Sequence, residues 1–149
     1  MEKRIGWREY VSLPDWGVKG VGARIDTGAR TSAIHVEKIR RLPGRRVHFE
    51  VVTRRAKANR PEKTVPVEAA IVRSSRIRSS TGHTQERFIV ATRVRIGSVV
   101  RRIELSLVRR EHMLCRMLLG RTALEGLLVD VTCTHVLGDG VSKRRKVKP

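Results

Sequence analysis

The sequence predicts an all-β domain, a barrel or a sandwich made of many short strands. Three observations point there. Apolar and polar residues alternate with period two in segment after segment, the mark of half-buried strands. Turn residues separate those segments at short intervals. A helical pattern is confined to one turn near the C-terminus, over Thr122–Gly126.

Taken in chain order, the first informative strand runs through Gly22-Ala23-Arg24-Ile25 into Asp26, and Gly28 then permits a tight turn. Alternation follows in Val47–Val51, Val65–Ala69, Ile89–Ile96 and Arg102–Leu107. Turns fall at Leu42-Pro43-Gly44, Asn59-Arg60-Pro61, Ser79-Ser80-Thr81-Gly82 and Ile96-Gly97-Ser98. Met117-Leu118-Leu119 is a short apolar strand. Gly120 and the helical turn come next, and Gly126 stops that turn. Residues 1–137 are read as one domain. Residues 138–149 are read as a basic, disordered tail, densest over Ser142–Pro149.

The 149 residues suit one ordinary domain. Lys plus Arg number 33 against 14 Asp plus Glu, a formal charge of +19. Arg-Arg pairs recur along the whole chain, so a polyanionic partner is expected: nucleic acid, the ribosome or an acidic peptide. Aromatics are only 3%, which argues against a base-stacking platform. No apolar run is long enough to span a bilayer and the start has no apolar leader. Cys115 and Cys133 make no disulfide framework and are read as reduced thiols, which points to the cytoplasm.

The chemistry sits in Gly22–Ser32. A carboxylate at a strand end, followed by Thr and Gly, is placed to present its oxygens at a cleft. The competing reading of Asp26-Thr27-Gly28 is an Asx turn that caps its own backbone. The late segment Met117–Leu124 tips the balance. Together, Ile25-Asp26-Thr27-Gly28-Ala29 and Leu118-Leu119-Gly120-Arg121-x-x-Leu124 resemble the retropepsin-like aspartic proteases. The likeness extends to the bacterial family that carries the older name ATP-dependent zinc protease. Gly6-Trp7-Arg8-Glu9, Leu13-Pro14, Ala23–His35, Arg78–His83, Ile103–Leu107, Arg110–Met113 and Val129-Asp130 carry it. It covers roughly residues 5–131 and departs at Arg116, where Pro is expected.

The resemblance implies a retropepsin-like, acid-protease closed barrel with one short helix near the C-terminus. It implies a homodimer in which Asp26 faces its symmetry mate, since only Asp26 of the four Asp stands in Asp-Thr-Gly. Two carboxylates about 3 Å apart share one proton, and the pair activates water. An intrachain dyad with Asp130 is the rival, weakened by the lack of a Gly after Asp130. Thr27 and Gly28 complete the catalytic loop in this likeness. Ala29, Arg30, Ser32 and Arg121 stand at the substrate. So do Ser80, Gly82 and His83, in a flap turn between strands Ile71–Arg78 and Glu86–Ile96. Residues 47–72 form a hairpin additional to compact retroviral enzymes.

Retroviral proteases carry a carboxylate where this chain has Arg30. Arg30 and Arg121 are therefore expected to share one region unpaired, and an acidic or glutamate-rich peptide would neutralise them. The alternative is that Arg30 faces solvent and Arg121 finds Glu104 or Glu111. Neither zinc nor ATP is expected: His35, His48, His83, His112 and His135 are scattered, and no phosphate-binding loop is present. The rival to a peptidase is a basic RNA- or ribosome-associated module, or a dimerising adaptor, on the same scaffold without catalysis. For RNA binding the charge is the main support, because no aromatic RNA-binding motif appears.

Overall fold

A computed structural model describes residues 3–54, 58–78, 80–109 and 114–138. The strands are β1 (Lys3–Gly6), β2 (Arg8–Leu13), β3 (Val18–Ile25), β4 (Ser32–Leu42), β5 (Arg46–Arg54) and β6 (Lys63–Ala70). They continue with β7 (Arg73–Arg78), β8 (Thr84–Ile96), β9 (Val99–Val108), β10 (Met117–Leu119) and β11 (Leu127–Asp130). Among the described residues the single α-helix, α1, is one turn, Arg121–Leu124. Gly126 follows at φ +79°, the left-handed conformation that only glycine takes cheaply.

Six strands close on themselves. Hydrogen-bonded neighbours run β10-β3-β2-β8-β9-β4, and β10 also pairs with β4, which completes the ring. This is the closed, retropepsin-like barrel. Side chains alternate across its wall as period two requires. In β9, Ile103, Leu105 and Leu107 are buried; in β8, Phe88, Val90, Val94 and Ile96 are buried. Met117 and Leu119 of β10 are fully buried against them. Each such side chain contributes roughly 1.5–3 kcal/mol through burial.

β5 and β6 extend the sheet from β4 as the additional hairpin, and β7 extends it from β8. Phe49 of β5 is fully buried and meets Trp16 edge to face at 5.3 Å. β6 ends the sheet and carries an exposed Pro66. β7 is exposed along its whole length. β1 and β11 pair in parallel as a separate two-stranded sheet.

β4 is the longest of the strands that alternation did not announce. Ile34, His35 and Val36 are buried in succession. The strand pairs with β9 and β10 through His35, joins β5 at Val36 and Glu37, and then passes Lys38 at φ 53° and a register shift before pairing with β5 again from Arg40. The change of partner at Val36 and the bulge after Glu37 each break the period of two.

A second unannounced feature is Glu9 of β2, fully buried. Its carboxylate accepts N–H bonds from Gly6 at 2.7 Å, Val136 at 2.9 Å and Leu137 at 3.2 Å. Trp7 N–H donates to the Cys133 carbonyl and His135 N–H to the Arg8 carbonyl. The Glu9 side chain and these two backbone bonds together fasten residues 6–9 to residues 133–137. The expected basic tail falls almost wholly on residues 139–149, which lie outside the described residues.

Candidate active site

β3 delivers Asp26 to the end of the barrel. Its parallel partner β10 sets Leu119 beside Ile25, and the Asp26 N–H extends that ladder to the Leu119 carbonyl at 2.9 Å. The chain then turns. Gly28 N–H donates to Asp26 Oδ1 at 2.9 Å, and Ala29 N–H to the Asp26 carbonyl at 3.3 Å. The Asx turn is therefore present, and it uses one carboxylate oxygen only. Oδ2 takes no hydrogen bond from the described residues. Asp26 is half-buried, with Thr27 and Gly28 exposed beside it.

The loop is held by the segment after β10. The first N–H groups of a helix have no partner within it, and here they find loop carbonyls. Arg121 N–H donates to Ala29 O at 2.7 Å; Thr122 donates to Arg30 O through its N–H at 3.1 Å and its hydroxyl at 3.0 Å. Buried Ser32 accepts the Gly120 N–H on Oγ at 3.1 Å. Gly120 is required sterically: a Cβ there would lie 2.5 Å from the Thr31 carbonyl and 2.8 Å from that of Ala29. The two sequence segments that prompted the protease resemblance are thus one hydrogen-bonded unit.

Arg121 has a partner after all. Its Nη1 donates to the Thr27 carbonyl at 3.1 Å, so it braces the loop and is not paired with Glu104. Glu104 pairs instead with Arg73 of β7. Glu111 lies outside the described residues. Arg30 is exposed. It borders an open cleft of about 700 Å³ with Thr31, Arg73, Arg102, Glu104 and Thr122.

Asp130 stands at the end of β11 with its oxygens committed locally. Oδ1 accepts the Thr132 N–H at 2.9 Å and the Thr132 hydroxyl, and Oδ2 lies 3.6 Å from Arg4. The Thr132 hydroxyl, then its N–H, hold this carboxyl below its usual range. Nothing in that turn prepares it to share a proton with Asp26.

The Ser80–His83 turn joins β7 to β8 with Gly82 at φ +87°, and Ser80, Gly82 and His83 are all exposed. Ser79 lies outside the described residues. Sequence reading gave Arg73 and Ser106 no role and Glu104 only that of a partner for Arg121; β7 and β9 bring all three beside Thr31 and Ser32. Their convergence depends on register across β8 and has no local signal. Among the described residues no three His, Cys, Asp or Glu side chains gather as a metal site. No helix among them is long and apolar enough to cross a membrane.

A family model described as "RimB-like: Retropepsin-like aspartic endopeptidase RimB" matches residues 4–138. Curated relatives named "Probable alpha-L-glutamate ligase" are similar as well. That of Shewanella pealeana is 36% identical over 141 residues, 91% of this chain and 30% of the relative. That of Parasynechococcus marenigrum is 34% identical over 139 residues, 91% of this chain and 29% of the relative. The chain thus spans under a third of the length of the ligases it matches. Among solved structures, the protein Lpg0085 of Legionella pneumophila has a TM-score of 0.74 at 24% identity. The match covers 92% of this chain and 99% of that one, and it concerns the fold alone.

Proposed function

The chain belongs to the RimB-like family of retropepsin-like aspartic endopeptidases, and on that premise we propose that it hydrolyses peptide bonds through a dyad of two Asp26 carboxylates, one from each copy of a homodimer. The observation that carries this reading is Asp26 at the end of β3, with Oδ1 held by Gly28 and Oδ2 turned loose on a half-exposed loop. A two-fold contact between such loops brings the carboxylates together without any further residue. The pair then shares one proton. The ionised member deprotonates water, and the protonated member donates to the scissile carbonyl. Thr27 and Gly28 flank the reacting groups. Arg121, Thr122 and Ser32 keep the loop from shifting.

The favoured substrate is an acidic, glutamate-rich protein segment. The +19 charge supports this, as does the kinship of this domain with part of proteins named as glutamate ligases. A peptidase acting on glutamate-bearing proteins fits beside an enzyme named for joining glutamate.

Wild type and Asp26→Asn, offered glutamate-rich peptides and denatured casein from acid to neutral pH, test the proposal. Cleavage is expected from wild type only, with a dimer in sedimentation. Equal cleavage by Asp26→Asn removes the dyad. No cleavage by either, with salt-sensitive RNA binding, replaces the peptidase with a basic nucleic-acid or ribosome module.

A further inference from the structure

Next to the cleft, and sharing Thr31, Arg73 and Glu104 with it, is a recess of about 220 Å³ lined from the loop after Asp26, β7, β8 and β9. Strand register builds it. Arg73 of β7 lies opposite Ile89 of β8, and Ile89 lies opposite Ser106 of β9. Arg87 sits two positions from Ile89 on the same face, and Thr31, five positions after Asp26, also lines the recess. The charge is unbalanced: Arg73 and Arg87 meet one carboxylate, Glu104, and Arg30 and Arg102 lie in the adjoining cleft. Ser106 Oγ is buried on this wall with no hydrogen-bond partner.

We infer that Arg73 and Arg87 select acidic side chains of the substrate, and that Glu104 is an internal competitor that a substrate carboxylate must displace from Arg73. This rests on the peptidase reading and specifies which residues set its selectivity. The Arg73–Glu104 pair is half exposed on both sides, at 52% and 42%, so it holds weakly. An incoming carboxylate gains two guanidiniums, because Arg87 has no ion-pair partner among the described residues. It also reaches the Ser106 hydroxyl, which Glu104 leaves unused. A single acidic residue exchanges one carboxylate for another at Arg73. A run of acidic residues also engages Arg30 and Arg102, so the recess favours consecutive acids over isolated ones. Neutral glutamine has no charge with which to evict Glu104.

The test compares matched glutamate-rich and glutamine-rich fluorogenic peptides. Arg73→Gln and Arg87→Gln are each expected to lower the Glu/Gln ratio of kcat/KM at least tenfold. Arg73→Lys restores part of that loss, and Glu104→Gln lowers KM for the glutamate peptide several-fold. Arg95→Gln, which removes a charge elsewhere on β8, leaves the ratio as in wild type. The same peptides are titrated calorimetrically into the Asp26→Asn background, where binding is read without turnover. Cleavage with a Glu/Gln ratio untouched by Arg73, Arg87 and Glu104 substitutions overturns this inference and spares the peptidase. Absence of cleavage, with binding that still weakens in Arg73→Gln and strengthens in Glu104→Gln, overturns the peptidase and spares the recess.

Discussion

Ser32 and Gly120 lie 88 positions apart in the chain, and the Gly120 N–H donates to the Ser32 hydroxyl oxygen at 3.1 Å in the buried base of the Asp26 loop. Ser32→Ala leaves that N–H buried without an acceptor, at a cost of about 1–3 kcal/mol. Urea unfolding should report the loss as a lower midpoint with an unchanged slope. Peptide hydrolysis should fall as well, because the same contact positions Asp26.

Gly120→Ala tests the steric side of this junction. The added methyl carbon lies within 3 Å of two carbonyl oxygens, and backbone cannot swing aside as a side chain can. The expected cost is at least about 1–3 kcal/mol. The damage should concentrate in the loop: amide exchange at residues 27–31 should accelerate more than in β8. Uniform acceleration would contradict a local origin.

Glu9 offers the largest single-residue effect. Glu9→Ala strips an acceptor from three N–H groups, of Gly6, Val136 and Leu137, and should cost at least about 3 kcal/mol. Glu9→Gln keeps one acceptor oxygen and should lose less. Thermal unfolding of the two variants ranks them, and equal melting temperatures would show that the contacts carry little.

Asp130 predicts a pH effect of definite sign. Its carboxyl is held below the usual 3.8, chiefly by the Thr132 hydroxyl and then the Thr132 N–H. A depressed folded value means the contribution is complete above the unfolded value and drains away as pH falls through the lower one. The loss therefore falls below pH 3.8. In Thr132→Val the Asp130 carboxyl should titrate closer to its usual value when followed by NMR.

How much of this was legible beforehand follows from the range of each interaction. β5, β8 and β9 announced themselves because one face of each is buried, and period two survives in the residue order. β4 hid because Ile34, His35 and Val36 are buried in succession where the strand passes from β9 and β10 to β5, so period two is lost from the residue order. The Asp26 loop and its Gly120 support were legible as a pair of segments. The ligand of Arg121 was not: the guanidinium meets the Thr27 carbonyl, and backbone acceptors leave no trace in residue type. Glu9 was silent for the same reason. The Arg73–Glu104 pair spans an intervening strand, so only the register reveals it.

Pro66 has a consequence for self-association. Two strands bound the larger sheet, β6 and β7. Proline supplies no N–H, so the β6 margin offers a foreign chain an interrupted row of donors. The β7 margin is lined with Arg73, Arg76 and Arg78, which repel the like margin of another copy while drawing in an anionic strand. The molecule thereby discourages indiscriminate fibril-like stacking at both rims, by a missing donor at one and by like charge at the other.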